Sequence, residues 1–279
     1  MIRALLTGAA AAGRRWPLVL ALWLFTIAFG VSFALAGAAW LTDALEGSLA
    51  TRTLLHHIDV AVLIDLWTDH REGLSLLLVF AAVLGGMHVV LWWWLYGVVV
   101  AALQRPPGES GTAWGRGLAL APVMAQLFVL ALVVLALFSA AVGVAAYGLL
   151  RWTRADPSPF VWYEIGGGAL AAWMIGFVFL AAVHDHARLR ACRARQSAFG
   201  AYRWALGFVW HGGERAFLVA CALQMSALAL WLGYQAVGLT VPVTELLGLT
   251  GSLLWAEAYL LVRVWIRVWF FAAENELQA

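Results

Sequence analysis

Residues 74–103 read LSLLLVFAAVLGGMHVVLWWWLYGVVVAAL, thirty residues with no Asp, Glu, Lys or Arg and a single histidine, His88. A helix needs ~20 mainly apolar residues to cross the hydrocarbon layer of a bilayer. This stretch therefore predicts a transmembrane helix, with the surplus length taken up by tilt or by extension beyond the bilayer. Working outward, five further runs of this kind stand at about 16–41, 118–150, 162–183, 216–238 and 243–271. The expected fold is all-α: a single transmembrane domain over 1–279, built as a bundle of about six transmembrane helices with interfacial amphipathic helices.

Composition agrees. Apolar residues make up 64% of the 279-residue chain and charged residues 11%, with a mean hydropathy of +0.88; soluble domains average about 25% charged. All seventeen basic residues are Arg, a bias better explained by a GC-rich bacterial genome than by binding. A net charge of +2 and no basic run interleaved with exposed aromatics exclude a nucleic-acid signature. Cys192 and Cys221 are too far apart for a CxxC site.

Orientation follows from arginine placement, because basic residues near helix ends stay cytoplasmic. An N-terminus inside puts Arg3, Arg14, Arg15, Arg105, Arg116, Arg188, Arg190, Arg193, Arg195, Arg203 and Arg215 on the cytoplasmic side, against Arg52, Arg71, Arg151 and Arg154 outside. Both termini are expected in the cytoplasm of a bacterium, with the chain in the inner membrane. Ala34–Ala36 resembles a signal-cleavage site, but the apolar run before it exceeds a signal h-region of about 7–15 residues, so a retained first helix is expected. Trp16, Trp40, Trp67, Trp114, Trp152, Trp162, Trp210 and Trp269 fall near span ends and suit an interfacial aromatic belt.

Between the first two spans, Leu55, Ile58, Val62 and Leu66 fall at helical spacing and predict an outer interfacial helix. Its polar side carries His56, Asp59, Asp69 and His70. A solvated acidic face is the better reading than a metal site, because no closed ligand pattern is present. On the inner side, Phe199, Tyr202, Leu206 and Val209 predict a short amphipathic elbow helix whose arginines attract anionic lipid headgroups, by ~1 kcal/mol each near the surface.

An ionisable side chain at mid-membrane costs about 2.5–3.5 kcal/mol and is therefore informative. His88 and Glu257 fall at similar depth in the second and sixth spans. They are expected to face the bundle interior and pair directly or through a water, as a structural clasp or as a proton-linked couple. Arg263 and Arg267 share a face at the inner rim, free to snorkel or to meet Asp185. A haem or other pigment on a single midplane histidine lacks its second axial ligand, and no cofactor is expected.

The densest polar run is FLAAVHDHARLRACRAR, residues 179–195. On a helix His184 and His186 point about 200° apart and cannot chelate one metal, whereas Asp185 and Arg188 share a face and are expected to pair. Cys192 has no base to activate it, and no Ser or Cys nucleophile stands beside an oriented base, so the chain is read as a non-enzyme. With QSAFGAYRWALGFVWHGGERAF following, this run resembles the cytoplasmic segment of a loose group of uncharacterised bacterial multi-pass membrane proteins carrying a D-x-A-R element, here Asp185, Ala187 and Arg188. RVWIRVWFFAAE, from Arg263 to Glu274, is similar to that group's final helix. The resemblance covers the C-terminal third; it implies six helices and no particular activity. The expected role is a scaffold, assembly factor or accessory subunit that meets other membrane subunits through small-residue faces such as Gly30, Ala34 and Ala38. A small transporter using His88 and Glu257 is the alternative.

Overall fold

The computed structural model describes residues 2–45, 64, 67–104, 113–153, 159–211, 214–238 and 246–278. Its helices are α1 (Ile2–Arg14), α2 (Trp16–Leu45), α3 (Arg71–Leu103), α4 (Ala113–Trp152), α5 (Pro159–Ala194), α6 (Ala198–His211), α7 (Glu214–Gly238) and α8 (Leu246–Leu277). No strand occurs among the described residues. α2, α3, α4, α5 and α7 are long and apolar enough to cross a membrane, which makes the chain an all-α membrane protein. α8 stands where the sixth span was expected, and its apolar run is broken by Glu257, Arg263 and Arg267. The expected outer helix around Leu55–Leu66 falls almost wholly outside the described residues.

The apolar helices leave most of their side chains uncovered by protein. Leu76 is 72% exposed and Val144 71%, a pattern that water would penalise and lipid does not. Trp16, Trp114, Trp152, Trp162 and Trp210 are exposed near helix ends, as belt residues are. Trp269 departs from that pattern, for its indole donates to the Leu5 carbonyl at 2.6 Å. Trp92–Trp94 depart too, since no ring among them is left to lipid alone. Trp92 donates to His88 of its own helix, Trp93 lies 5.0 Å from Phe128 and Trp94 5.5 Å from Trp114.

The chain forms two compact units. One comprises Met1–Arg14, Trp93–Ala227 and Ile266–Ala279; the other comprises Arg15–Trp92 and Leu228–Trp265. The first unit holds the dense core. Leu95 and residues 97–103 of α3 are buried there, with Met124 and Leu127 of α4, Ala182, Val183, Ala187 and Ala191 of α5, and the alanine side of α6. Small residues set this core because they let helices approach closely. Gly97 and Gly117 face each other across α3 and α4, where a Cβ on Gly97 would lie 2.8 Å from the Gly117 carbonyl oxygen.

α5 runs to Ala194, well past the apolar stretch, and ends at Arg195, whose φ of 49° is the left-handed conformation that closes a helix. α6 follows where the amphipathic elbow helix was expected. Ala198, Ala201, Tyr202, Ala205 and Val209 are buried, while Phe199, Leu206 and Trp210 are exposed. Its alanines pack against protein, and its bulky apolar side chains remain on the outside.

α1 docks by the same device. Ala4, Gly8 and Ala12 form its buried stripe, and a Cβ on Gly8 would come within 2.7 Å of the Ala273 backbone nitrogen. Gly13 of the same helix has nothing within 4 Å of that position. Gly13→Ala should therefore protect residues 2–14 from hydrogen–deuterium exchange, by the ~0.5–1 kcal/mol that Ala adds to a helix. Gly8→Ala should have the opposite sign and raise exchange, because the clash is with backbone.

Candidate functional site

The site lies in the first compact unit, where α3, α5 and α8 bring their polar residues together. The apolar run of α5 ends at Val183, and the next turn presents His184, Asp185, His186 and Arg188. Helical spacing puts Asp185 and Arg188 on one side, and Oδ1 of Asp185 accepts from Nη1 of Arg188 at 3.0 Å. The same oxygen accepts from Nη2 of Arg267 on α8, also at 3.0 Å. One carboxylate thus serves two guanidinium groups.

Aromatic rings cover the cations. The Arg188 guanidinium lies 4.1 Å from the centroid of Tyr96 on α3, and that of Arg267 lies 4.8 Å from the centroid of Phe271. Tyr96 and Phe271 meet edge to face at 5.6 Å. Such contacts gain strength as water is excluded, from ~0.5–1 to about 2 kcal/mol. Asp185 and Arg188 are buried, and the Arg267 side chain keeps 31% of its surface exposed.

Glu274 directly follows the apolar stretch 268–273 of α8 and is only 1% exposed. Burial pushes its carboxyl well above the usual carboxylate range and the Asp185 charge pushes the same way, against the pull of Arg267 and Arg188. Its Oε1 has no hydrogen-bond partner among the described residues. Two arginines facing one ionised aspartate leave a positive excess, which Glu274 offsets only when ionised.

His184 and His186 face different surroundings. His186 is fully buried, with its ring edge to Phe208 of α6 at 5.0 Å and its Nδ1 accepting from Gln278 Nε2 at 2.8 Å. Gln278 Nε2 also lies 3.1 Å from the His186 carbonyl. Neither ring nitrogen of His184 has a hydrogen-bond partner among the described residues. Arg193 holds the chain end with bonds to the Gln278 carbonyl at 2.6 Å and to Asn275 Oδ1 at 3.2 Å. Among the described residues, no three of His, Cys, Asp and Glu gather as a metal site.

The other sequence candidates are placed apart from this node. Arg263 is exposed and makes no ion pair among the described residues. It lies one turn, about 6 Å along the axis, before Arg267. His88 and Glu257 both belong to the second unit but are not joined by a hydrogen bond or an ion pair. His88 Nε2 accepts from Trp92 at 2.6 Å, and the ring stacks on Phe25 at 5.4 Å and meets Phe29 at 4.9 Å. The indole that satisfies this nitrogen lies one helical turn away on α3. His88 Nδ1 and Glu257 Oε2 have no hydrogen-bond partner among the described residues.

Tyr96, Phe271, Glu274 and Gln278 were not expected at a site. Glu274, a charge directly after the apolar WFFAA, carried a signal that burial was in prospect. For Tyr96, in an apolar run, nothing in the sequence pointed to a guanidinium above its ring.

The fold and this node define an all-α membrane protein with a buried two-arginine, one-aspartate junction. No family model, curated protein or solved structure matches the chain.

Asp185→Asn should strip the counter-charge from two guanidinium groups and lower stability in detergent by about 3 kcal/mol, the low end for breaking a buried pair because Arg267 is partly exposed. Arg267→Met should cost less, and Asp185→Asn/Arg188→Met/Arg267→Met should recover part of the loss, read as melting temperature in mild detergent. Glu274 adds a pH dependence. A carboxyl whose folded pKa is raised costs stability as pH rises above its unfolded value of about 4.3 toward its folded one. Glu274→Gln should remove that fall and leave the variant at least as stable as the parent at pH 8, measured by thermal melts across pH 5–8.

Proposed function

We propose that the chain is a non-enzymatic integral component of a larger membrane assembly, a scaffold, assembly factor or accessory subunit of the bacterial inner membrane with both termini in the cytoplasm. The observation that carries this reading is the open glycine-bearing flank of its apolar helices. Gly30 and Gly37 of α2 and Gly85 and Gly86 of α3 have nothing within 4 Å of where a Cβ would stand, and Ala34 and Ala38 beside them are exposed. Small residues on a membrane helix allow close backbone approach by another helix, and against lipid alone they forgo packing area. The charge node fits the same role. Its ions are satisfied within the chain and capped by rings, the arrangement of a junction that fixes helix ends. Arginines at the cytoplasmic face attract anionic headgroups as a general anchor.

A small transporter or permease is the second reading. It is favoured by His88 Nδ1 and Glu257 Oε2, buried atoms in apolar helices without a hydrogen-bond partner among the described residues, since such groups mark proton paths.

Purification in mild detergent separates the two. Stoichiometric partner chains that are lost on Gly30→Leu/Ala34→Leu substitution are the expected result. A protein that stays free of partners and carries pH-dependent flux into liposomes, abolished by Glu257→Gln, would replace the first reading by the second.

A further inference from the structure

A cavity of about 650 Å³ opens between α5, α6 and the start of α7, within the range of specific ligand sites. Its lining is amphipathic. Ile175 and Phe179 of α5 and Phe217 of α7 contribute apolar side chains, and His211, Glu214 and Arg215 contribute polar ones. Trp210 also lines it, 72% exposed, its ring edge to Phe179 at 6.0 Å. An exposed tryptophan among apolar and charged side chains is the pattern of headgroup depth in a bilayer.

The two charges of the lining are open. Glu214 and Arg215 are both exposed, and neither makes an ion pair among the described residues. Neighbours on a helix project about 100° apart and do not neutralise each other. Each is left facing outward for a counter-charge from elsewhere. A simple anion satisfies Arg215 alone. A phosphate joined through a short link to an ammonium satisfies both.

We propose that this groove holds one membrane phospholipid with a primary-amine headgroup. Its phosphate lies at Arg215 and His211, its ammonium at Glu214, and one acyl chain lies along Ile175, Phe179 and Phe217. The primary amine matters because it donates hydrogen bonds to the carboxylate, which a quaternary ammonium cannot do. The site differs from general attraction of arginines to anionic lipid, which needs no carboxylate. It is independent of whether the chain is a subunit or a transporter.

The test is native mass spectrometry of the delipidated full-length chain titrated with phosphatidylethanolamine, phosphatidylcholine or phosphatidylglycerol of identical chains. The parent should take its first phosphatidylethanolamine about tenfold more tightly than either other lipid, the scale of one charge-assisted hydrogen bond. Glu214→Gln should erase that preference and keep phosphatidylglycerol binding. Arg215→Gln should weaken all three, and Ile175→Trp, at a position 64% exposed where a larger ring is accommodated, should block the first site. Equal affinity for the three headgroups, or parental affinity in Ile175→Trp, overturns the proposal. So does an Ile175→Cys chain in native membranes whose photo-cross-linker captures a protein helix instead of lipid. Matching size-exclusion profiles show that the variants are folded.

Discussion

A carboxylate buried among helix ends must be compensated, and Asp185 is compensated twice. One of its oxygens, Oδ1, accepts both from Arg188 on its own helix and from Arg267 on another. Removal of either ion would strand the others in a low-dielectric setting, so the three behave as one unit. The rings of Tyr96 and Phe271 fix the guanidinium planes, and this requires the ends of α3 and α8 to be in place before the charges are comfortable. Close packing at this level, with alanine and glycine where the helices meet, follows from that requirement. Bulkier side chains would hold the arginines out of reach of the aspartate.

The contrast with the rest of the chain is one of solvent. Buried residues crowd into the last turns of α3 and α5, the first turns of α7 and the far end of α8, whereas the apolar middles of the long helices remain uncovered. In lipid there is little gain from hiding leucine, so compactness is bought only where polar groups make exposure costly.

Much of this was legible in the sequence. The 74–103 run could be little other than a membrane helix, and the three-residue spacing of Asp185 and Arg188 put them on one side of α5. What was not legible depended on tertiary approach. Spacing alone did not tell which of Arg263 and Arg267 reaches the aspartate, because the two share a face and differ only by a turn. His88 and Glu257 matched in counted depth, but depth alone gave no sign that a tryptophan four residues along the same helix donates to His88 Nε2. The side of α6 that meets protein was not legible either, because it is an alanine side, with Ala198, Ala201 and Ala205 buried while Phe199 and Leu206 stay outside.

The first compact unit joins segments far apart in sequence. The Trp269–Leu5 hydrogen bond joins residues 264 apart, and the Arg267–Asp185 pair joins residues 82 apart. During synthesis, then, α1 has no seat until α8 is made. Asp185 likewise waits for half of its counter-charge. Until α8 is in place, Gly8 has no Ala273 backbone to close on and the aspartate holds Arg188 alone, so closure of this unit is a late event.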